Sequence, residues 1–314
     1  MRIQQLTQAD RFYVTDGGLE TYMIFDKGHE LPCFSAAALL DTAQGCADLT
    51  AYFERYISIA KGAGRRFVLD APTWRAGTAW AGPLGQTLKQ VMETNARAVA
   101  FVAALRAEHE TPDCPILING LVGPAGDAYA PDSEVSRQDA LLIHAPQIHA
   151  LGRAGVDMIS AMTLTHAEEA IGIVQAAKEI DLPVVIAFTL ETDGRLPSGS
   201  SLEAAIAQVD GATDAGPLYY MINCAHPDHF AALLDPQAEW TGRIGGLRSN
   251  ASRMSHAELD AAEVLDDGNP VELGALSAAL ASRLPSIRVI GGCCGTDHRH
   301  VACIAGHHPT RSVP

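Results

Sequence analysis

Residues 287–295 read IRVIGGCCG, a short apolar run that ends in glycines and two adjacent cysteines. A run of this kind bounded by glycine is typical of a buried β-strand. Neighbouring side chains on a regular strand point to opposite faces, so Cys293 and Cys294 can reach one ion only if the backbone turns at the pair. The flanking glycines allow such a turn. The pair is therefore either a set of metal ligands at a strand end or two small residues packed in the core.

Seven other β-rich runs precede this one in the 314-residue chain. The eight runs cover residues 12–15, 66–69, 115–119, 156–160, 184–189, 218–223, 243–247 and 287–290. Ala-rich amphipathic segments between them predict helices at residues 84–108, 136–154, 167–180, 201–212 and 271–284. Because strands that alternate with helices form parallel sheets, and eight such units close a barrel, we predict an α/β fold. Residues 1–314 are expected to form one (β/α)8 TIM barrel domain.

A third cysteine, Cys224, follows the sixth run in the sequence Asn223-Cys224-Ala225-His226-Pro227. Closure of a barrel makes its sixth, seventh and eighth strands neighbours, and the carboxyl ends of all strands share the face that carries the active site. Cys224 should therefore meet Cys293 and Cys294. Three protein ligands with an open fourth position are typical of catalytic zinc, so these cysteines predict a Zn²⁺ site that accepts a thiol substrate.

Composition limits the other possibilities. A formal net charge of -15, with no basic run, disfavours nucleic acid as a partner. No apolar stretch is long enough for a membrane span or a signal peptide, so we expect a cytoplasmic protein with small-molecule partners. Seven cysteines, an odd number, favour reduced thiols over a disulfide framework. The sequence carries no signal for an oligomeric state.

Two long connections, residues 17–44 and 246–269, carry polar, glycine and proline residues and are expected to be active-site loops. Trp74, near the end of the second run, could face a cationic methyl donor, with Tyr22, Trp80 and Tyr129 completing an aromatic cage. Ordinary aromatic packing is the alternative for each ring.

Three motifs occur in order along the chain: Asp16-Gly17-Gly18, the Asn223-Cys224 pair followed by Pro227, and the closing GGCCG. With them the chain resembles the homocysteine S-methyltransferases over nearly its whole length. The resemblance implies a (β/α)8 barrel with zinc held by Cys224, Cys293 and Cys294. It also implies transfer of a methyl group from S-methylmethionine, S-adenosylmethionine or betaine to homocysteine, which gives methionine.

The same resemblance implies residues that bind substrate. Asp16, with Gly17 and Gly18, would bind the amino-acid end of the acceptor; an Asx turn or a helix cap before Leu19 is the alternative for Asp16. Asn250 matches a Pro-Asn-Ser/Ala stretch after the seventh strand. The predicted substrate-binding set is Asp16, Gly17, Gly18, Thr163, Asn250 and Trp74.

The fourth strand departs from the family pattern. A Phe-Glu-Thr is common there, with the glutamate on the substrate ammonium group, whereas this chain has Ala161-Met162-Thr163. Asp70 stands where a glutamate is common on the second strand. Glu191 or Asp157 could compensate, although strand geometry favours a buried structural role for Asp157.

This departure keeps other functions open. They are a relative that binds metal or thiol without turnover, and a zinc barrel enzyme acting on a different thiol. A zinc hydrolase is disfavoured because no general base is evident beside the thiolates. The short stretch after the cysteine pair favours a sulfonium donor over betaine.

The remaining histidines and cysteines are expected outside the metal shell. His226 and His298 should orient ligands or lie at the surface, and His307 and His308 should be solvated. Burial or incidental exposure is expected for Cys33, Cys46, Cys114 and Cys303. Oxidation should expel the metal and pair the zinc cysteines as disulfides, which a metal assay after peroxide treatment would test.

Overall fold

The protein is a closed barrel of eight parallel strands in the order in which they occur along the chain. A computed structural model describes residues 2–7, 12–128 and 135–307. The strands are β1 (Tyr13–Val14), β2 (Arg66–Ala71), β3 (Ile116–Val122), β4 (Met158–Leu164), β5 (Val184–Phe188), β6 (Tyr220–Asn223), β7 (Ile244–Ser249) and β8 (Val289–Gly292). Strand β8 pairs with β1 and so completes the ring. The predicted (β/α)8 TIM barrel is confirmed.

Helices precede, separate and follow the strands along the chain. They are α1 (Gln4–Thr7), α2 (Leu19–Thr21), α3 (Ala43–Gly62), α4 (Leu88–His109), α5 (Arg137–Ala154), α6 (Ala167–Lys178), α7 (Leu202–Thr213), α8 (Pro227–Phe230), α9 (His256–Asp260), α10 (Pro270–Arg283) and α11 (His298–His307). The five predicted helices correspond to α4, α5, α6, α7 and α10. None of the helices in the described part of the chain has an apolar stretch long enough to cross a membrane.

Local signals in the sequence explain where these helices begin and end. Helix α4 begins with a capping box, in which the Thr87 side chain accepts from Gln90 N–H and the Gln90 side chain accepts from Thr87 N–H. Helix α5 ends at Gly155, whose φ of 93° lies in the left-handed region that glycine adopts without a side-chain clash. These signals fix the start of α4, between β2 and β3, and the end of α5, between β3 and β4.

The strands bury side chains on both faces. On β2, Phe67 and Leu69 belong to the larger apolar cluster, which includes the α4 residues Val99 and Val102. The intervening Val68 belongs to a second cluster of strand residues at alternating positions. Since side chains fill the barrel interior, substrate has room only at one end.

Five strands extend further toward their carboxyl ends than predicted. Strands β2, β3, β4, β7 and β8 run two to four residues past the predicted ends, so Asp70, Thr163 and Ser249 lie within strands. Polar residues and glycine lower strand propensity, but pairing with both neighbours in a closed barrel overrides that tendency. These extensions carry polar side chains into the mouth of the barrel.

Candidate active site

The three predicted zinc cysteines meet at the carboxyl-terminal mouth of the barrel. Cys224 follows β6, and Cys293 and Cys294 follow β8. Their sulfur atoms all lie within 4.8 Å of one another. Cys224 Sγ and Cys294 Sγ are 4.0 Å apart, whereas Cys224 and Cys293 are joined by a disulfide with their Cα atoms 5.5 Å apart. The prediction that the backbone brings both members of the pair to one site is confirmed.

This donor set fits a zinc ion once the disulfide is reduced. A tetrahedral ion with Zn–S bonds of about 2.3 Å separates its sulfur ligands by about 3.8 Å, close to the Cys224–Cys294 distance of 4.0 Å. The sulfur atoms of Cys224 and Cys293 would have to move apart to bind the ion.

The backbone of Cys224 is held in an uncommon conformation. Its φ is 53°, in the left-handed region that non-glycine residues rarely adopt. Its carbonyl oxygen accepts hydrogen bonds from Asn250 Nδ2 at 3.2 Å, Thr189 Oγ1 at 3.3 Å and His256 Nε2 at 3.0 Å. Cys224 N–H donates to the Arg248 carbonyl at 3.1 Å. These bonds aim the side chain, because strain of this kind persists only where the surroundings enforce it.

Asn223 connects the cysteine site to β4. Its side-chain oxygen accepts from Thr163 N–H at 2.9 Å, and its Nδ2 donates to Thr163 Oγ1 at 2.7 Å. Asn223 Nδ2 also lies 3.9 Å from Cys293 Sγ, and Thr163 Oγ1 lies 3.9 Å from Cys224 Sγ. Thr163 itself has a φ of 65°. The Asn223 amide therefore holds Thr163 beside Cys224 Sγ, while its own Nδ2 lies beside Cys293 Sγ.

The segment 16–18 packs directly against the cysteine turn. Gly18 N–H donates to Thr296 O at 2.9 Å, and a Cβ atom on Gly18 would lie 2.7 Å from the Cys293 carbonyl. Of the glycines around the pair, Gly295 provides the left-handed turn, with a φ of 76°, whereas Gly291 and Gly292 belong to β8. The prediction that Gly291 and Gly292 supply the freedom for the turn was wrong, because both lie in β8 and the turn runs from Cys293 to Thr296, where Thr296 N–H donates to Cys293 O at 3.1 Å.

Asp16 does not cap the following helix. Gly18 is the N-cap of α2, and no side chain caps it. The Asp16 carboxylate instead accepts a 2.5 Å hydrogen bond from Arg248 Nη2, and Arg248 Nη1 donates to Asp70. Burial raises the pKa of Asp16 to about 7, and the Arg248 guanidinium opposes this rise. The alternative of a helix cap is therefore wrong.

Arg248 is the main residue of the barrel mouth that no sequence motif indicates. Its Nε donates to Gly292 O at 2.9 Å, so every nitrogen of the guanidinium is paired. Burial disfavours its charge, but Asp16 and Asp70 more than offset this and raise the pKa of Arg248. Asn119 Nδ2 extends the network by donating to Asp70 Oδ1 at 2.7 Å. The network links β7, β1, β2 and β3 beneath the site.

A cavity of about 410 Å³ opens beside the cysteines. The three cysteines line it together with the six predicted substrate-binding residues, which are Asp16, Gly17, Gly18, Trp74, Thr163 and Asn250. Both long connections contribute to its wall, as predicted: Ile24 and Phe25 come from the first, and Leu259 and Val264 from the last. The structure thus brings the predicted residues together around one space.

The aromatic cage is not assembled as predicted. Trp74 lines the cavity and donates from Nε1 to Met162 O at 3.2 Å. Tyr22 instead packs against Tyr52, with ring centroids 5.4 Å apart, and Trp80 donates to the Pro124 carbonyl. Tyr129 lies outside the described residues. Among the described residues, Phe25 and Phe34 are the further rings in the cavity wall.

Met162 faces the same cavity and is only 5 % exposed, so the strand that departs from the family pattern presents a thioether there. A carboxylate does reach the cavity from another element, because Glu20 of α2 lines it. Burial raises the pKa of Glu20 to about 7. An acidic residue two positions after the DGG motif was the available sequence signal for Glu20.

The two proposed substitutes for the absent glutamate lie elsewhere. Asp157 precedes β4 at the opposite end of the strand, where it accepts from Arg106 Nη1 at 2.7 Å and Ile118 N–H at 2.8 Å. Its predicted structural role is confirmed. Glu191 lies 3.0 Å from His256 Nδ1, behind the Cys224 backbone, and is not in the wall of the main cavity. Neither residue replaces the carboxylate.

The neighbouring histidines also lie outside the sulfur cluster. His226 caps α8, where its Nδ1 accepts from Asp228 N–H at 3.2 Å, and burial lowers its pKa to about 4. His298 Nδ1 lies 3.4 Å from Arg55 Nη1. The side chains of His307 and His308 lie outside the described residues. The four other cysteines are free and apart from the cluster: Cys33, Cys46, Cys114 and Cys303.

Comparisons with known proteins identify a family and solved structures that share this fold. A model of the family described as homocysteine S-methyltransferase matches residues 13–307. The metallated form of the homocysteine methyltransferase MmuM from Escherichia coli shares the fold, with a TM-score of 0.75 at 19% identity over 97% of this chain and 99% of that chain. The oxidized form of the same enzyme gives a TM-score of 0.74 at 20% identity over 97% and 98% of the two chains.

Proposed function

We propose that this chain, which belongs to the homocysteine S-methyltransferase family, moves a methyl group from a sulfonium or betaine-type donor to a thiol at the cysteine cluster. The protein is a methyltransferase, as its family is. Homocysteine is the proposed acceptor and methionine the product. The observation that carries the proposal is the convergence of three cysteine sulfurs within 4.8 Å at the edge of a cavity.

Cys224, Cys293 and Cys294 would hold a Zn²⁺ ion in the reduced protein. When bound, zinc would lower the proton affinity of the acceptor thiol, which is mostly protonated when free at neutral pH. The metallated form of Escherichia coli MmuM, whose fold this chain shares, supports this assignment. A cytoplasmic location, which would keep these thiols reduced, and a single domain over residues 1–314 belong to the same proposal.

The transfer is a displacement at the methyl carbon. A new bond forms between the acceptor sulfur and the methyl carbon while the bond from that carbon to the donor sulfonium breaks. The bonding pair stays on the donor sulfur, which becomes a neutral thioether, and the acceptor loses its thiol proton to solvent. The apolar part of the wall, from Phe25, Phe34 and Trp74, would exclude water while the two sulfur atoms approach.

Two cavity groups suit the amino end of an amino-acid thiol. Asn250 Oδ1 is buried without a hydrogen-bond partner among the described residues, so it can accept from an ammonium group. Glu20 can supply the negative charge that Met162 does not. Asp16 is a weaker candidate for direct contact, because its carboxylate is already bound to Arg248.

A donor-by-acceptor panel on reduced, zinc-loaded protein tests the proposal. Donors are S-methylmethionine, S-adenosylmethionine and betaine; acceptors are homocysteine, cysteine and 2-mercaptoethanol; mass spectrometry detects the methylated thiol. We expect methionine from homocysteine with at least one donor. Absence of any methylated thiol across the panel would contradict the proposal.

Met162 favours two alternatives. The chain could be a member of the family that acts on another thiol, or one that binds thiols without turnover. Calorimetric titration with homocysteine separates these cases when read beside the panel. Binding without product supports the non-catalytic alternative, and product from a different acceptor supports the other.

A further inference from the structure

A second arginine lies in the cavity wall. Arg75 follows Trp74 just beyond β2, which is two strands from β8 and opposite β6 in the barrel. Its side chain is buried, with 9 % of the residue exposed. The guanidinium carbon lies 3.8 Å from the centroid of the Trp80 ring and 4.8 Å from that of Trp74. Two aromatic faces therefore hold this charge at the cavity.

The pairing of Arg75 is incomplete. Its Nη2 is 3.9 Å from the Asp127 carboxylate, too far for a hydrogen bond, and the Asp127 side chain is 52% exposed. Its Nε is buried without a hydrogen-bond partner among the described residues. Burial lowers the pKa of Arg75, and Asp127 opposes the change. A buried guanidinium in this condition retains donors for a ligand.

Arg248 provides the internal comparison. Both arginines line the same cavity and both are buried, but Arg248 donates from all three nitrogens to Asp16, Asp70 and Gly292. Its binding capacity is therefore used within the protein. Among the described residues Arg75 has only a long ion pair, and buried charged groups left unpaired are costly.

The position of Arg75 also changes the expected use of the tryptophans. A sulfonium or ammonium group placed on the same ring faces would meet a like charge at close range. An anion is attracted there instead, and the planar fork of arginine matches a carboxylate with two parallel hydrogen bonds. This part of the cavity wall therefore favours a negatively charged group of a ligand.

We propose that Arg75 binds the carboxylate of one of the two substrates in the cavity. The inference rests on the proposed methyl transfer, and two substrates of that reaction can carry this group, namely the thiol acceptor and the sulfonium donor. The same guanidinium chemistry would serve either. Arg75 then sets specificity for carboxylate-bearing substrates, while the cysteines supply the site for sulfur.

Two pairs of compounds distinguish the two sources. Homocysteine is compared with 3-aminopropane-1-thiol, and S-methylmethionine with (3-aminopropyl)dimethylsulfonium; the second member of each pair lacks only the carboxylate. We measure kcat/KM for all four with wild type and Arg75→Gln, and Kd for all four compounds by calorimetry. Arg253→Gln is the control, since Arg253 is exposed and pairs with Asp228 and Glu272.

Wild type should prefer the carboxylated member of one pair by roughly 10- to 150-fold, the range expected for hydrogen bonds to a charged group. Arg75→Gln should abolish that preference while leaving the compound without a carboxylate nearly unaffected. Loss in the thiol pair assigns Arg75 to the acceptor, and loss in the sulfonium pair assigns it to the donor. The control should retain the wild-type preference.

A purely structural Arg75 would lower both members of each pair equally, and an unchanged preference in both pairs would overturn the proposal. Failure of the proposed methyl transfer gives a different result, namely no product from any compound. In that case the calorimetric comparison of both pairs still decides whether Arg75 recognises the carboxylate of the thiol or of the sulfonium compound. Equal affinities of wild type for the two members of each pair would then overturn the inference.

Discussion

The two sides of the barrel mouth differ in how closely they follow the family. The side formed by β6, β7 and β8 carries Cys224, Cys293 and Cys294 in the arrangement that the family motif implies. The side formed by β2 and β4 carries Arg75 and Met162 at the cavity. In the proposed function the first side binds the acceptor sulfur and the second recognises the rest of the substrate. The difference predicts that substitutions on the two sides affect the protein in different ways.

Substitution of a zinc cysteine should produce the largest effect. Cys224→Ser, Cys293→Ser and Cys294→Ser should each lower methyl transfer by at least about a thousand-fold, because a metal that activates a nucleophile contributes several kcal/mol. Zinc content should fall in parallel while circular dichroism stays native. Cys46→Ser is the matched control, since the Cys46 thiol donates to the Leu39 and Leu40 carbonyls and is not part of the cysteine cluster. Three fully active variants would refute a role for the cluster.

The Arg248 network between the two sides should affect stability most. Arg248→Met leaves Asp16 and Asp70 buried without their counterion and should lower the free energy of unfolding by about 3–5 kcal/mol. Arg253→Met, at an exposed ion pair, should cost about 0–1 kcal/mol. Urea denaturation measures both. Equal losses in the two variants would show that the buried network does not hold the mouth together.

Asn223 tests whether the sulfur side depends on its connection to β4. Asn223→Ala removes both hydrogen bonds to Thr163 and should weaken zinc binding about 10- to 100-fold, the effect typical of groups that orient metal ligands. Competition with a chelator measures the affinity. Asn269→Ala, which removes the cap of α10, should lower stability but leave zinc affinity unchanged. Equal zinc affinity in Asn223→Ala and wild type would argue against this connection.

Glu20 should give the smallest effect, a change in pH dependence. Burial raises its pKa to about 7 from the usual 4.5, so between these values the folded protein keeps a proton that the unfolded chain has lost. Stability therefore falls as pH rises across this window. Glu20→Gln should reduce that fall, although Asp16 still titrates in the same range. Urea unfolding at pH 4.5 and at pH 8 measures this fall in the free energy of unfolding. Glu203→Gln, at an exposed carboxylate, is the control. An unreduced fall in Glu20→Gln would contradict a raised pKa at this half-buried carboxylate.

The convergence of the three cysteines could be predicted from sequence because its signal is local and its geometry follows from the fold. Cys224, Cys293 and Cys294 lie within two residues of a strand end, and barrel closure then places them together. The six residues predicted to bind substrate line one cavity because they too lie at or near strand ends. Residues at strand ends need only the topology to be located.

The recognition side could not be predicted in this way. Arg248 pairs with Asp16 across 232 positions, and nothing near either residue in sequence indicates the pair. The Arg75 guanidinium covers the face of the Trp80 ring. The prediction that this ring forms part of an aromatic cage was therefore wrong. Glu20 reaches the cavity because α2 begins immediately after Gly18. Such contacts depend on side-chain packing between distant segments, which strand patterns do not encode.

Zinc removal and restoration test the central claim most directly. The reduced protein is loaded with zinc, stripped with a chelator and loaded again, while metal content and methylation of homocysteine are followed on one sample. We predict one zinc per chain, loss of methyl transfer in proportion to zinc removed, and recovery on its return. Full activity in the stripped protein, or zinc bound equally well by Cys294→Ser, would contradict a catalytic metal at the three cysteines.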